Sequence, residues 1–137
     1  MKIKKERYVE IEKGFIYDNI TKLLWHPKTV TKTWAGSLEY AKELDDYGLE
    51  WRVPSVKALI NIVNYNMCDP ASMLPNMSSS YYWSSSTDVN NSDYAWLVNF
   101  GRGYVGFINK TFDYSVRCVS GPFASLKECK SIILKKV

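Results

Sequence analysis

Between residues 81 and 121 the sequence repeats one pattern, a short run rich in aromatic and β-branched residues followed by a polar or glycine-bearing break. "YYWSSS", "YAWLVNF", "GYVGFI" and "SVRCVSG" are separated by "TDVNNSD", "GRG" and "NKTFDY". Runs this short, bounded by such turns, read as strands of an antiparallel sheet. In the second run Ala95, Leu97 and Asn99 alternate with Trp96, Val98 and Phe100, the period of a strand with two different faces. Everything earlier in the chain has to pack around this late sheet.

The earlier segments use a different grammar. In "GFIYDNITKLLWH" two apolar runs flank the polar break "DNIT", which predicts a hairpin over residues 15 to 25 with Trp25 in the core. Thr33 precedes "WAGSLEYAKEL", where Trp34, Leu38, Ala41 and Leu44 recur at helical spacing, so Thr33 is the expected N-cap and Gly48 lies past the end. After the extended "WRVP", Ser55 is the expected cap of a second helix burying Val56, Leu59, Ile60 and Val63. These are the only two substantial helices expected. Residues 64 to 80 show neither period but contain Met73, Leu74 and Met77, and read as a long ordered loop with something to bury. The tail "SLKECKSIILKKV" fits a final helix or a strand that joins another chain.

A chain of 137 residues that is 46% hydrophobic can bury one real core, and two domains would be a squeeze. Ten Tyr and five Trp exceed what such a core consumes, so some rings are expected to face water or a ligand. The net charge of +4 is concentrated at the ends, in "KIKKER" and "LKKV", and no basic stripe crosses the middle, so nucleic acid is not an expected partner. No run is long enough to insert into a membrane, and the first residues lack the apolar stretch of a secretory signal.

Catalysis finds little support. His26, followed by Pro27 at a strand end, is the only imidazole, and Asp45 and Asp46 are adjacent near a helix C-terminus rather than opposed across a site. The expectation is no enzyme and no cofactor. Cys68, Cys118 and Cys129 have neither CxxC nor Cys-His spacing. Their odd number allows either idle thiols or one bridge plus a spare. Asp88, Asn90, Asn91 and Asp93 carry oxygens suited to calcium, but in this order they read as a solvated polar turn, and no metal is expected.

Six segments together carry a family resemblance: "YDNITKLLWH", "TWAGSLEYAKEL", "LEWRVPSVKAL", "YYWSSS", "AWLVNFGRG" and "VRCVSG". In this order and spacing they resemble the bacterial DUF1566 domain, the C-terminal domain of the Legionella collagen-like adhesin. The likeness divides the chain into an N-terminal extension (1–13), a domain (14–121) and a C-terminal tail (122–137). It implies an α+β, C-type-lectin-like fold with two helices and a small antiparallel sheet carrying long loops. It also implies an exported or surface-attached binding module, in some members a trimer, and in the adhesin a receptor for sulphated glycosaminoglycans. Family members often bridge the Cys of the "VRC" strand to a Cys of a "YC" pair in the first helix. Here that pair is Tyr40 and Ala41, so the usual bridge cannot form.

The expected function is therefore non-enzymatic recognition of carbohydrate or sulphated polysaccharide in adhesin fashion, with a protein-interaction or self-assembly module as the alternative. Trp83 and Trp96 read as core anchors beneath a displayed loop. The ligand-binding set expected on that loop, the "GRG" turn and the strand after it is Asn90, Asp93, Tyr94, Arg102, Tyr104 and Asn109. Arg102 would meet an anionic group, Tyr94 and Tyr104 would stack, and the amides and Asp93 would hold hydroxyls.

Overall fold

A computed structural model describes residues 6–135. The basic ends noted in the sequence, Lys2, Lys4, Lys5 and Lys136, lie outside the described residues. The elements in chain order are β1 (Tyr8–Glu12), β2 (Phe15–Asp18), β3 (Leu24–Lys32), α1 (Trp34–Glu43), α2 (Val56–Asn61), β4 (Tyr81–Thr87), β5 (Tyr94–Asn99), β6 (Tyr104–Asn109), β7 (Tyr114–Ser120) and α3 (Leu126–Lys135).

All seven strands form one sheet in the order β1-β2-β3-β7-β4-β5-β6. β7 enters between β3 and β4, pairing antiparallel with β3 and parallel with β4, where Tyr82 lies opposite Ser115. The α+β class expected from the sequence holds, whereas the small antiparallel sheet does not: the sheet is larger and mixed. The reason is the insertion of β7, a non-local pairing that joins the early hairpin to the late strands. Local turn signals carry no information about it.

Both faces of the sheet are covered, which gives three layers. On one face Trp83, Leu97, Val116 and Cys118 pack with Ala41 of α1 and with Cys129 and Ile133 of α3. On the other, Trp25, Tyr82, Val98 and Val119 pack with Leu59 of α2 and with Ile62, Leu74 and Met77 of the long loop. This two-sided cover explains why β2 is buried at every position instead of alternating.

The caps are those read from the sequence. The Thr33 hydroxyl accepts the Gly36 N–H at 3.2 Å, and the Ser55 hydroxyl accepts the Ala58 N–H at 3.1 Å. α2 is shorter than its pattern suggested, and Ile60 is 40% exposed while Ile62, just past the helix, is buried. In the loop, Leu74 and Met77 are buried as expected but Met73 is exposed. Of the two outcomes open for the tail, the helix forms: α3 and α1, at ten residues each, are the two main helices, and α2 has six. Trp83 is fully buried, but Trp96 is half-exposed and faces outward with Phe107.

The sheet also begins before residue 14. β1 pairs with β2, and Arg7, just ahead of it, donates from Nε and Nη2 to the two carboxylate oxygens of Asp18, each at 2.9 Å. The Thr21 hydroxyl and the Ile20 N–H also donate to this fully buried carboxylate. Burial alone would raise the Asp18 pKa, but these donors outweigh it and hold the carboxyl below its usual range. A carboxyl depressed in the folded state adds stability above its unfolded pKa of roughly 4, and that stability is lost as pH falls through the lower folded value. Asp18→Asn is expected to cost about 2–3 kcal/mol at pH 7 by loss of charge-assisted bonds. It should also flatten the acid limb of a stability-against-pH curve measured by urea unfolding; a wild-type acid limb in the mutant would show that Asp18 does not govern it.

Candidate functional site

The turn between β5 and β6, Phe100 to Gly103, is tied to the long loop by backbone bonds. The Asp69 N–H donates to Gly101 O at 2.8 Å and the Ala71 N–H to Phe100 O at 2.7 Å. The Tyr65 hydroxyl donates to Gly103 O at 3.1 Å. Between turn and loop lies a cleft of about 320 Å³ lined by Tyr65, Asn66, Met67, Cys68, Arg102 and Tyr104. Arg102 is exposed there and, among the described residues, forms no ion pair or side-chain hydrogen bond. Tyr104 is 67% exposed.

A larger groove of about 1000 Å³ adjoins it through Tyr65 and Asn66 and runs past Met73 to Arg7 and Tyr8. Size alone would favour this groove, but its guanidinium is already engaged: Arg7 is bound to Asp18 and donates to Asn61 at 2.8 Å. The unengaged cation is in the smaller cleft, which is why the chemistry points there.

The six residues expected from the sequence do not form one site. Tyr94 pairs with Asn109 across the hairpin, and Asn99 pairs with Tyr104. Directly paired residues share a face, and the odd separation of 94 from 99 turns Tyr94 and Tyr104 to opposite faces. They also lie at opposite ends, about 17 Å apart along β5. Arg102 and Tyr104 thus come together, and Asn90, Asp93, Tyr94 and Asn109 gather at the far end. There Tyr94 and Trp96 pack against Phe107 with ring centroids 6.0 and 5.2 Å apart.

That far loop mostly satisfies itself. Asp88 is buried, and its carboxylate accepts the Asn90 N–H at 3.1 Å. The Asn91 side chain accepts the Asp93 N–H, and the Asn109 side chain accepts from both the N–H and the hydroxyl of Thr111. Among the described residues no cluster of three or more His, Cys, Asp or Glu is placed to hold a metal.

His26 is a core histidine. Its Nδ1 accepts the Lys28 N–H at 3.1 Å, which puts the proton on Nε2, donating to Asp46 at 2.9 Å. The ring packs edge-on against Phe15 and Trp51. All three cysteines are free thiols. Cys118 and Cys129 are buried, and burial pushes each thiol up to about 12, so neither is a nucleophile at neutral pH. Cys68 is exposed in the cleft.

Sequence reasoning missed Tyr65, Asn66 and Met67, which come from the loop 35 or more residues before Arg102. The signal was present as an aromatic ring, Tyr65, set between two asparagines in "NYNMCD" after the second helix has ended. The family model described as the Lcl C-terminal domain matches residues 14–120, most of the chain. No curated protein matches it.

Proposed function

The chain belongs to the Lcl C-terminal domain family, and from that premise we propose that it is a surface or adhesin-type binding module that recognises acidic carbohydrate, such as sulphated polysaccharide, without turning it over. The observation that carries this reading is one cleft lined together by the exposed guanidinium of Arg102, without an ion pair among the described residues, and by Tyr65 and Tyr104. A planar, always-charged group suits sulphate or carboxylate, and rings in the same lining offer faces to a sugar at little entropic cost. The cleft lining contains no carboxylate or imidazole, which favours binding over acid–base chemistry. We read the architecture as C-type-lectin-like, with support from the pairing of β3, an early strand of the matched region, with β7, its last.

Replacing Arg102 and Tyr104 together by Ala should weaken binding to heparin by at least tenfold, since one charge-assisted bond is worth about 1.5–3 kcal/mol. The melting temperature should stay within about 2 °C, because both side chains are exposed. Titration calorimetry at low and physiological salt would measure this; unchanged affinity in the double mutant would sink the assignment.

Protein interaction or self-assembly is the second reading, and β6 favours it. This edge strand, "YVGFIN", carries no charge and leaves Tyr104, Val105 and Phe107 exposed. Such an edge is a template for another strand. A concentration-independent monomer mass by light scattering would count against self-assembly.

A further inference from the structure

Tyr104 belongs to a second feature of the same sheet. Cross-strand pairing sets Tyr104 opposite Asn99, Asn99 opposite Tyr81, and Tyr114 opposite Lys32. The Tyr81 and Tyr114 rings are 5.4 Å apart, which closes the row across β6, β5, β4, β7 and β3. All five side chains share one face, and four strand spacings make the row about 19 Å long. Tyr81 is 44% exposed. Asn99 accepts the Gly101 N–H through Oδ1, which leaves its amide nitrogen free to donate outward.

Gly106 stands beside this row, two residues after Tyr104 and on the same face. Its backbone is not left-handed, and a Cβ there would meet only Leu97 Cδ1, at an ordinary 3.8 Å. Neither backbone nor packing requires glycine, although glycine weakens a strand. Its effect is to keep the surface open to close approach.

We infer that this row is an extended subsite on which a linear acidic polysaccharide lies across the strands. Tyr104, Tyr81 and Tyr114 face its sugar rings, Asn99 donates to a hydroxyl, and Arg102 and Lys32 meet acidic groups at the two ends. Charge complementarity selects this occupant: the exposed cations Arg102 and Lys32 stand at the two ends, and no member of the row carries a carboxylate. The inference rests on the carbohydrate reading of the Arg102 cleft and adds to it a length requirement.

The test is binding of heparin di-, tetra-, hexa- and octasaccharides to the full chain, with Gly106→Thr, Tyr81→Ala and Arg102→Ala variants. Affinity should rise at least tenfold from disaccharide to octasaccharide. Gly106→Thr should fold as well as the wild type, or better, and lose at least fivefold for the octasaccharide with no change for the disaccharide; Tyr81→Ala should lose likewise. Octasaccharide binding no tighter than disaccharide binding, or indifferent to Gly106→Thr, would overturn the row while leaving an Arg102-dependent cleft standing. No binding at any length would overturn row and cleft together. A wild-type oligomer that Gly106→Thr dissociates would assign the row to a second copy instead.

Discussion

Arg117→Ala is expected to lower the unfolding free energy by about 3–5 kcal/mol, a large part of the roughly 5–15 kcal/mol that holds a domain of this size folded. Arg117 lies in β7 and is 1% exposed. Its Nε donates to His26 O at 2.6 Å and its Nη1 to Pro75 O at 2.7 Å, so one side chain joins the central strand to β3 and to the long loop. Burial draws its pKa down to about 10, which leaves it charged at neutral pH and means that some desolvation cost is returned when it is removed. Two charge-assisted bonds at about 1.5–3 kcal/mol each, together with the buried His26 carbonyl left unpaired and a cavity, outweigh that return. Arg117→Met, which keeps most of the volume, should cost less than Arg117→Ala. Urea unfolding at 25 °C gives both values; an alanine variant within about 1 kcal/mol of wild type would mean that the brace is dispensable.

The second large effect falls on Gly103, and it contrasts with Gly106 three residues later. Gly103 has φ +89°, and a Cβ there would lie 2.6 Å from Val63 Cγ1 and 2.9 Å from Tyr65 Cε1. Gly103→Ala therefore combines a left-handed backbone penalty with a clash, about 2–4 kcal/mol in total. Val63 and Tyr65 must give way, which disturbs the cleft that Tyr65 lines together with Arg102, so heparin affinity should fall along with stability. At Gly106 the two readouts should separate, with stability kept and binding of long chains lost. If Gly103→Ala left both melting temperature and affinity unchanged, the packing of Tyr65 on the turn would have no role in the cleft.

Local elements were legible because each has a local cause. The hydroxyls of Thr33 and Ser55 cap the helices they precede, and polar or glycine turns separate β4 to β7 at the expected places. Burial was legible where one residue dominates, as at Trp25 and Trp83, and misread where a helix ended early, as at Ile60. Trp96 was misread because alternation tells which residues share a face of β5 but not how far that face is covered. α2 and the long loop reach Val98 and stop short of Trp96.

The candidate site divides in the same way. The sequence by itself determined that Arg102 sits on a glycine turn beside Tyr104, because "GRGY" places them two residues apart, and that the chain has more aromatic rings than a core needs. Only the tertiary structure decided that Tyr94 faces away from Tyr104, that Tyr65 completes the cleft, and that Tyr81, Tyr114 and Lys32 continue the row. Caps and turns arise from interactions within a few residues, and the local sequence specifies those. The row depends on β7 sliding between β3 and β4, a long-range pairing set by the summed burial of both sheet faces, to which no short stretch of sequence holds the key.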